Sequence, residues 1–221
     1  MRCGIKVVDW LLDLIYPPRC AFCRRLLSGQ EKGVCRFCRP NLPYVPADGQ
    51  VQHFRNVDKC LSPLYYHGSV KDSLHRYKFG GATAYADIYS EFIVKCIDEN
   101  QISCDSITWV PLSRRRLWRR GYDQAELLAK LIAKHLGQSP VRLLKKQRDT
   151  PPQSKTGSVE KRRANIAGAY ACLRPELVQG KQVLLVDDIV TTGATLSEAA
   201  RVLKKAGAKE VICATLARSL R

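Results

Sequence analysis

The chain has 221 residues, a length that suits one α/β core with a small additional module. Its apolar fraction of 45% and charged fraction of 26% are those of a globular protein and exclude a disordered or fibrous chain. The formal net charge is +17, and +11 of it lies between residues 111 and 165. This concentration predicts a polyanionic partner, either phosphate groups at a site or a nucleic-acid backbone.

The first predicted element is an amphipathic helix over residues 7–15, which Pro17 and Pro18 end. The helix contains Asp9 and Asp13, and no small-residue cleavage site follows it. It is therefore interpreted as neither a signal peptide nor a membrane span. We expect a cytoplasmic protein without membrane insertion.

Ten cysteines in a chain without a recognisable export signal argue against a disulfide framework. Four of them form two Cys-x-x-Cys pairs separated by a short loop, a spacing that places four thiolates around one tetrahedral Zn²⁺. The predicted structural zinc ligands are Cys20, Cys23, Cys35 and Cys38. The alternative is a redox pair, which ordinarily opens a helix beside a strand, a context these pairs lack. The remaining cysteines are scattered and are predicted to be buried thiols.

Three domains or segments are predicted from these patterns. Residues 1–46 form an N-terminal helix and a zinc ribbon, and residues 47–60 are a polar linker with little periodicity. Residues 61–221 then form the larger α/β domain.

The larger domain begins with a strand predicted over residues 61–67, followed by helices over 70–78 and 84–96 with two glycines between them. Lys78 is the last residue of the first helix. Two interpretations of this lysine remain open. It is either a cation that reaches a ligand or a side chain that satisfies the helix C terminus.

The next buried strand is predicted over residues 107–110, and it opens into a loop with five arginines before a helix that Asp123 caps. Ligands of parallel sheets bind beyond the carboxyl ends of the strands, and arginine presents planar donors that suit pyrophosphate. We expect Ser113 and Arg114 near a pyrophosphate group. The later arginines are predicted to contact nucleic acid: Arg115, Arg116, Arg119 and Arg120. An ordinary solvated turn is the alternative for some of the five.

The following elements are a helix over 125–136, a strand over 141–144, a strand over 168–173 and a final strand over 210–216. Between them, residues 145–159 are polar, basic and rich in proline, glycine and serine. Such a stretch is typical of a functional lid or a disordered segment. The alternation of helices and strands indicates a doubly wound parallel sheet.

The most informative segment covers residues 183–195 and reads VLLVDDIVTTGAT. An apolar run typical of a buried strand ends at Asp187 and Asp188. A tight turn follows, and Thr195 can cap the next helix with Glu198 as its capping-box partner. Such a turn directs backbone N–H groups and the positive end of a helix dipole at one point, which favours a phosphate dianion. Because adjacent carboxylates can accept hydrogen bonds from a diol, the segment predicts a phosphorylated sugar as ligand.

This segment resembles the phosphoribosyl pyrophosphate (PRPP) loop of type I phosphoribosyltransferases at every position. The resemblance implies that the two acids bind ribose, that the turn binds the 5′-phosphate and that Mg²⁺ accompanies PRPP. The implied PRPP-binding residues are Asp187, Asp188, Ile189, Val190, Thr191, Thr192, Gly193, Ala194 and Thr195, with Ser113 and Arg114. Residues 145–159 fall where that family has its catalytic hood loop. The candidate catalytic residues are therefore Asp187, Asp188 and Lys155, the last as a partner of pyrophosphate.

The whole chain resembles the ComF/GntX family of phosphoribosyltransferase-like proteins, which are linked with DNA uptake by competent bacteria. The resemblance rests on the two Cys-x-x-Cys pairs, the PRPP loop and three further motifs. Those motifs are Val110-Pro111-Leu112, Arg119-Arg120-Gly121-Tyr122-Asp123-Gln124-Ala125, and Thr150-x-x-Gln153 with Arg162-x-x-Asn165. Tyr122-Asp123 replaces the more usual Phe-Asn. The implied fold is a type I phosphoribosyltransferase-like doubly wound parallel sheet with a small N-terminal zinc ribbon.

Three functions remain open after this comparison. The chain is an active phosphoribosyltransferase on an unidentified nucleobase-like acceptor, a PRPP sensor without turnover, or a DNA-uptake protein that binds single-stranded DNA. The resemblance favours a PRPP-binding protein of natural competence, with single-stranded DNA and competence or replication-restart proteins as partners. The sequence identifies no general base for an acceptor.

Overall fold

The structure is a computed structural model that describes residues 17–149 and 164–220. The helix predicted over 7–15 and the segment that contains Lys155 lie outside the described residues. Within the described ranges, no helix has the length and apolar character needed to cross a membrane.

Eight strands are described in chain order. They are β1 (Val51–Phe54), β2 (Val57–Leu61), β3 (Leu64–Tyr65), β4 (Ser106–Trp109), β5 (Leu144–Lys146), β6 (Tyr170–Cys172), β7 (Gln182–Val190) and β8 (Glu210–Arg218). Six of them form the central sheet in the order β1-β2-β8-β7-β4, with β3 also paired to β8. All its pairs are parallel except β1 with β2, and β5 pairs with β6 in a separate antiparallel sheet.

The helices cover both faces of this sheet. Those used below are α1 (Cys38–Asn41), α2 (Gly68–Phe79), α3 (Tyr85–Glu99), α4 (Arg114–Arg120), α5 (Gln124–His135) and α6 (Ala194–Lys205). Helices α2, α3 and α5 pack over one face, and α6 packs over the other. The predicted doubly wound α/β architecture is therefore confirmed.

The apolar run of β7 explains why the sheet is covered on both sides. Successive strand residues point to opposite faces. Leu184 and Val186 accordingly join the core under α3 and α5, whereas Val183 and Leu185 join the core under α6. A strand that is apolar at consecutive positions is stable only where both faces exclude water, which is the situation of a central parallel strand.

The segment predicted as a linker over residues 47–60 contains regular structure. It forms the hairpin of β1 and β2, and β2 extends the central sheet by pairing in parallel with β8. Asn56 makes the hairpin turn at φ 65°, a conformation that asparagine tolerates better than most residues. The strands are short and only partly apolar, so their main stabilising partner is β8, which lies some 150 residues later in the chain.

Two other strands differ from their predicted positions. Of the strand predicted over residues 61–67, only β3 is formed beyond the end of β2. The strand predicted over 141–144 instead runs over Leu144–Lys146 and pairs with β6. Val141 donates its N–H to Ile107 O, outside any regular ladder. The apolar residues were recognised, but the partner strand sets where pairing begins.

Candidate functional site

The two carboxylates of the PRPP loop lie within β7, which continues through them to Val190. The prediction that the strand ends at Asp187 is therefore wrong, because the ladder with β8 persists beyond it. Their position inside a strand separates the two side chains. Asp188 is buried on the α2 side of the sheet, where its Oδ1 lies 2.8 Å from Lys78 Nζ. This contact decides between the two interpretations of Lys78: it reaches the candidate site.

Asp187 lies in a different electrostatic environment. Burial raises its pKa well above the usual carboxylate value, and the neighbouring charge of Asp188 raises it further. The backbone N–H of Asp188 donates to Asp187 Oδ1 at 2.8 Å and partly offsets this effect. Burial also lowers the pKa of Lys146 to about 8, and the carboxylate of Asp187 opposes that shift. Lys78 therefore pairs directly with Asp188 and also acts on Asp187 by lowering its pKa, while Asp187 in turn acts on Lys146.

The turn after β7 leads directly into α6. Gly193 occupies the N-cap position at φ 74°, and no side chain caps the helix. The predicted Thr195 and Glu198 capping box is therefore not formed, because the helix begins one residue before Thr195. Glu198 instead accepts the N–H of Gly168 at 2.7 Å and pairs with Arg201. The turn nevertheless lies at the N-terminal end of α6, where the helix dipole favours an anion.

Phe54 of β1 packs against this turn. A Cβ atom added to Gly193 would lie 2.3 Å from Phe54 Cδ1, far inside van der Waals contact. Glycine is thus required here both by the positive φ and by the aromatic ring. The hairpin that sequence reasoning treated as a linker therefore shapes the turn.

Replacing Gly193 with alanine is expected to destabilise the fold by about 2–4 kcal/mol, because it combines a left-handed alanine with a clash against Phe54. Gly137 provides a matched control, since it has φ 66° but no atom within 4 Å of its would-be Cβ. Gly137→Ala should therefore show the conformational cost alone, about 1–2 kcal/mol. Denaturant unfolding of both variants measures the difference, and equal losses would contradict the proposed role of Phe54.

The five arginines predicted to lie in a loop form helix α4. Ser113 caps it by accepting the N–H of Arg116 at 3.4 Å, and Gly121 ends it at φ 79°. Serine before a helix and glycine after it are common cap residues, but the run of arginines between them was interpreted as a loop. Ser113 is buried and donates its hydroxyl to Asp149 Oδ1 at 2.7 Å. Ser113 therefore serves the helix start.

A cavity of about 780 Å³ opens between β7, α4, α5 and β5. Its cationic lining residues are Lys78, Arg116, Arg119, Arg120 and Lys146, and its acidic ones are Asp123, Asp187 and Asp188. From the predicted PRPP loop, Ile189, Val190, Thr191, Gly193, Ala194 and Thr195 also line it. The predicted residues Ser113, Arg114, Arg115 and Thr192 are not part of this lining.

The helix period explains how α4 divides its arginines. Positions 116, 119 and 120 are spaced i, i+3 and i+4 and share the face toward the cavity. Arg114 and Arg115 are exposed on another part of the helix. The prediction of Arg114 beside the anion site is thus not supported by its position, and three arginines assigned to nucleic acid lie at the cavity instead.

Arg120 is partly buried at the cavity. Its guanidinium donates to Gln124 Oε1 at 2.7 Å and lies 4.8 Å from the centre of the Phe79 ring. Burial lowers its pKa, and the nearby carboxylate of Asp188 opposes this effect. A cation held beside a desolvated carboxylate interacts more strongly with an incoming anion than it would in water.

Hydrogen bonds connect helix α2 to two other parts of the protein. Tyr77 donates its hydroxyl to Gln124 O at 2.9 Å, and Tyr122 donates its hydroxyl to Tyr77 O. Toward the N-terminal ribbon, Arg76 donates to the carbonyl oxygens of Ala21 at 2.8 Å and Phe22 at 2.9 Å. These contacts position Lys78, the next residue after Tyr77, relative to Asp188.

The zinc ribbon supplies the carbonyl groups that Arg76 binds. The four predicted ligands, Cys20, Cys23, Cys35 and Cys38, have Sγ atoms that all lie within 4.8 Å of one another. Tetrahedral zinc with Zn–S bonds of about 2.3 Å requires sulfur separations of about 3.8 Å, so the cluster fits the metal. Burial acts to raise the pKa of Cys20, but backbone N–H groups, including that of Cys35, outweigh it and lower this pKa to about 7. The thiolate form is thereby favoured at Cys20, whereas burial raises the pKa of Cys23 and of Cys38 in the metal-free cluster.

The other cysteines follow their predicted character only in part. Within the described ranges, Cys60, Cys96 and Cys213 are buried, as predicted, whereas Cys104 and Cys172 are partly exposed. The described metal-ligating cluster contains only the four ribbon cysteines.

Comparison with known families finds two matching segments in the chain. Residues 122–221 match the phosphoribosyl transferase domain, and residues 11–48 match the double zinc ribbon domain. Among solved structures, an allosteric regulatory enzyme of purine biosynthesis aligns with a TM-score of 0.41 and 23% identity over 59% of this chain and 25% of the other. Glutamine PRPP amidotransferase from B. subtilis aligns with a TM-score of 0.41 and 22% identity, over 60% and 26% of the two chains.

Curated relatives match over nearly the full length. Competence protein F of Haemophilus influenzae is 27% identical over 91% of this chain and 97% of its own. DNA utilization protein YhgH of Escherichia coli K12 is 28% identical over 94% and 100%. Competence protein ComFC of Bacillus subtilis 168 is 30% identical over 96% and 90%. The chain belongs to the ComF/GntX family.

Several cavity residues of this ComF/GntX protein were missed from the sequence, including His75, Phe79, Lys146 and Tyr170. Lys146 was placed in the predicted lid, and none of the four was assigned to the site, because none stands in a recognisable motif. The structure also explains the pair Tyr122-Asp123, which stands in place of the more usual Phe-Asn. Tyr122 bonds to α2, while Asp123 caps α5 through Ala125 N and Glu126 N and also accepts the N–H of Leu112 at 2.8 Å. The substituted pair thus holds the cavity wall together.

In this ComF/GntX protein, replacing Asp187 with asparagine is expected to stabilise the unliganded fold at neutral and alkaline pH by roughly 1–3 kcal/mol. Because the pKa of Asp187 is raised in the folded protein, its contribution to the free energy of unfolding is fully present below the ordinary carboxylate pKa. This stabilisation is lost as the pH rises through the folded pKa. Asparagine retains the acceptor for the N–H of Asp188 without the charge. The gain over wild type should therefore grow with pH in thermal unfolding measurements.

Asp188→Asn is the comparison variant. It removes the partner of Lys78 and should lower stability over the same pH range. Equal effects of the two substitutions would show that the carboxylates share one environment, contrary to the structure.

Proposed function

We propose that this ComF/GntX protein binds PRPP together with Mg²⁺ in the cavity and acts in natural competence or DNA uptake. One observation carries the proposal: a single cavity combines paired carboxylates, an anion-binding turn at a helix N terminus, and five cationic side chains. PRPP has a matching distribution of groups, with a 5′-phosphate, a ribose diol and a pyrophosphate. The competence role is supported by the full-length relatives named competence proteins.

Each part of PRPP has a complementary group in this proposal. The backbone N–H groups of the turn at Gly193 and the hydroxyl of Thr191 receive the 5′-phosphate. Asp187 and Asp188 accept hydrogen bonds from the ribose hydroxyls. The side chains that neutralise the pyrophosphate are Lys78, Arg116, Arg119 and Arg120. Mg²⁺ bound to PRPP supplies further charge neutralisation, and carboxylate oxygens are suitable ligands for it.

The same arrangement supports transfer chemistry if an acceptor binds. Departure of pyrophosphate develops positive charge on the ribose and negative charge on the leaving group. Positioned cations stabilise the leaving group, and the acids fix the ribose for attack at C1. His75 also lines the cavity and lies against Phe79, with 4.9 Å between ring centres, and we propose its imidazole as one side chain that contacts an acceptor.

Calorimetric titration of PRPP with Mg²⁺ tests the binding proposal. We expect one PRPP per chain, and ribose 5-phosphate should bind more weakly because it lacks the pyrophosphate. Absence of PRPP binding would remove the proposal. A panel of nucleobases, monitored for pyrophosphate release, then separates a transferase from a sensor, because a sensor releases none whatever base is offered.

Single-stranded DNA is proposed as the second ligand. The basic stretch over residues 111–165 and the DNA-related names of the relatives favour it. Binding should weaken steeply as salt is raised, because phosphate contacts release counterions. Binding that is independent of salt, or absent, would contradict the DNA role without affecting the PRPP titration.

A further inference from the structure

Helix α4 presents two chemically different faces. Arg116, Arg119 and Arg120 line the cavity, whereas Arg114 and Arg115 are exposed outside it. Trp118 lies four and three residues after this exposed pair, so the helix period brings its side chain to the same outer side. We call Arg114, Arg115 and Trp118 the outer face of α4.

Trp118 is the feature of the outer face that requires explanation. Its side chain is 89% exposed, whereas Trp109 in the neighbouring strand β4 is only 6% exposed. A single exposed apolar side chain is ordinary, but an indole is the largest one and its burial would be favourable. Here it stands beside two guanidinium groups on a helix without any acidic residue. The combination indicates a surface for a ligand that offers both a flat apolar face and negative charge.

We propose that the outer face of α4 is a stacking platform for an unpaired base of single-stranded nucleic acid. Trp118 stacks on the base, and Arg114 and Arg115 contact the flanking phosphates. Aromatic side chains among basic ones are the usual means of binding single strands without sequence preference. The inference deepens the proposed DNA role and rests on it, but it does not depend on PRPP binding.

The chemistry of this face favours a single strand over other anionic partners. In a duplex the base faces are covered by stacking, so an indole gains little there. A membrane surface would require a larger apolar area than one indole with the 40% exposed Leu117 beside it. An acidic protein would use the arginines but would have no specific use for the indole.

The two faces of α4 also separate two ligands in space. The inner arginines serve the cavity, and the outer face lies across a helix of about 10 Å diameter. A bound strand and a sugar phosphate in the cavity therefore need not exclude each other. Substitutions on the outer face should change DNA binding while leaving the affinity for PRPP unchanged.

The test compares Trp118→Ala, Trp118→Phe and the double variant Arg114→Ala/Arg115→Ala in titrations of a labelled oligo-dT strand at several salt concentrations. Trp118→Ala is expected to weaken binding about 5- to 150-fold, the range for loss of one stacked base, without changing the salt slope. The double arginine variant should reduce that slope by about 1.4, since each phosphate contact contributes about 0.7. Trp118→Phe should retain most of the affinity. DNA should quench the tryptophan fluorescence of wild type, and this quenching should be smaller in Trp118→Phe.

A strand of abasic residues is the matched ligand control. Wild type and Trp118→Ala should bind it equally, because it offers phosphates but no bases. Leu177→Ala is the protein control, since Leu177 is a 41% exposed apolar side chain in the short turn at Pro175–Leu177, outside α4. The platform is refuted if Trp118→Ala binds oligo-dT like wild type, or if duplex DNA or anionic vesicles bind wild type more tightly than the single strand. If wild type binds no single strand at all, the DNA role falls together with the platform, while the PRPP titration still decides the other half of the proposed function.

Discussion

Replacing both Asp187 and Asp188 with asparagine is expected to weaken PRPP binding at least about 100-fold. Hydrogen bonds to a charged acceptor contribute about 1.5–3 kcal/mol each, so losing two of them removes roughly 3–6 kcal/mol of binding free energy. The substitution preserves the size of both side chains and their place in β7. Calorimetry with PRPP and Mg²⁺ measures the effect directly.

Asp72→Asn is the control for this experiment. Asp72 is an exposed carboxylate on α2, the helix that carries Lys78, but it does not line the cavity. It should leave PRPP affinity unchanged although the net charge changes by one unit. If the double asparagine variant keeps the wild-type affinity while its thermal unfolding remains cooperative, the assignment of the ribose to these carboxylates is incorrect.

A further variant separates the carboxylates from their cation. Lys78 faces Asp188 at 2.8 Å in the structure and faces the cavity as well. In the proposed complex it also meets the pyrophosphate. Lys78→Met should therefore weaken PRPP more than ribose 5-phosphate, which distinguishes a pyrophosphate contact from a general loss of structure.

The second large effect is expected from removal of the zinc ligands. Structural zinc in small domains contributes about 10–16 kcal/mol of apparent binding free energy, so Cys35→Ser or a strong chelator should unfold the ribbon. Helix α2 would then lose the hydrogen bonds that Ser73 and Arg76 donate to carbonyl groups of the ribbon. We expect faster hydrogen exchange across Gly68–Phe79 and weaker PRPP binding, because the same helix ends at the lysine that pairs with Asp188.

Metal analysis and hydrogen exchange followed by mass spectrometry test this expectation. Freshly purified, reduced protein should contain about one zinc per chain. Cys104→Ser is the matched control, because Cys104 is a partly exposed thiol outside the four-cysteine cluster. Much less than one zinc per chain would contradict the ribbon. Unchanged exchange in α2 after zinc removal would contradict its dependence on the ribbon.

The sequence by itself determined the features whose information is local. The two Cys-x-x-Cys pairs predicted the zinc cluster because a tetrahedral site needs two short chelating loops, and the structure brings their sulfur atoms together. The segment with Asp187 and Asp188 predicted a carboxylate pair next to an anion-binding turn, since the strand, turn and helix are contiguous. The alternation of apolar helices and strands likewise predicted the doubly wound sheet.

Only the tertiary structure decided which distant side chains complete the site. Lys78 and Lys146 lie more than 35 residues from the PRPP loop, and no motif in the sequence distinguishes them from other lysines. The hairpin that places Phe54 against Gly193 was interpreted as a linker, because its strands depend on pairing with β8. The run of arginines was recognised as anion-binding, but its division into a cavity face and an outer face follows from the helix that Ser113 and Gly121 delimit. A contact between two distant elements depends on how both are packed in the fold. Neither local sequence therefore predicts it.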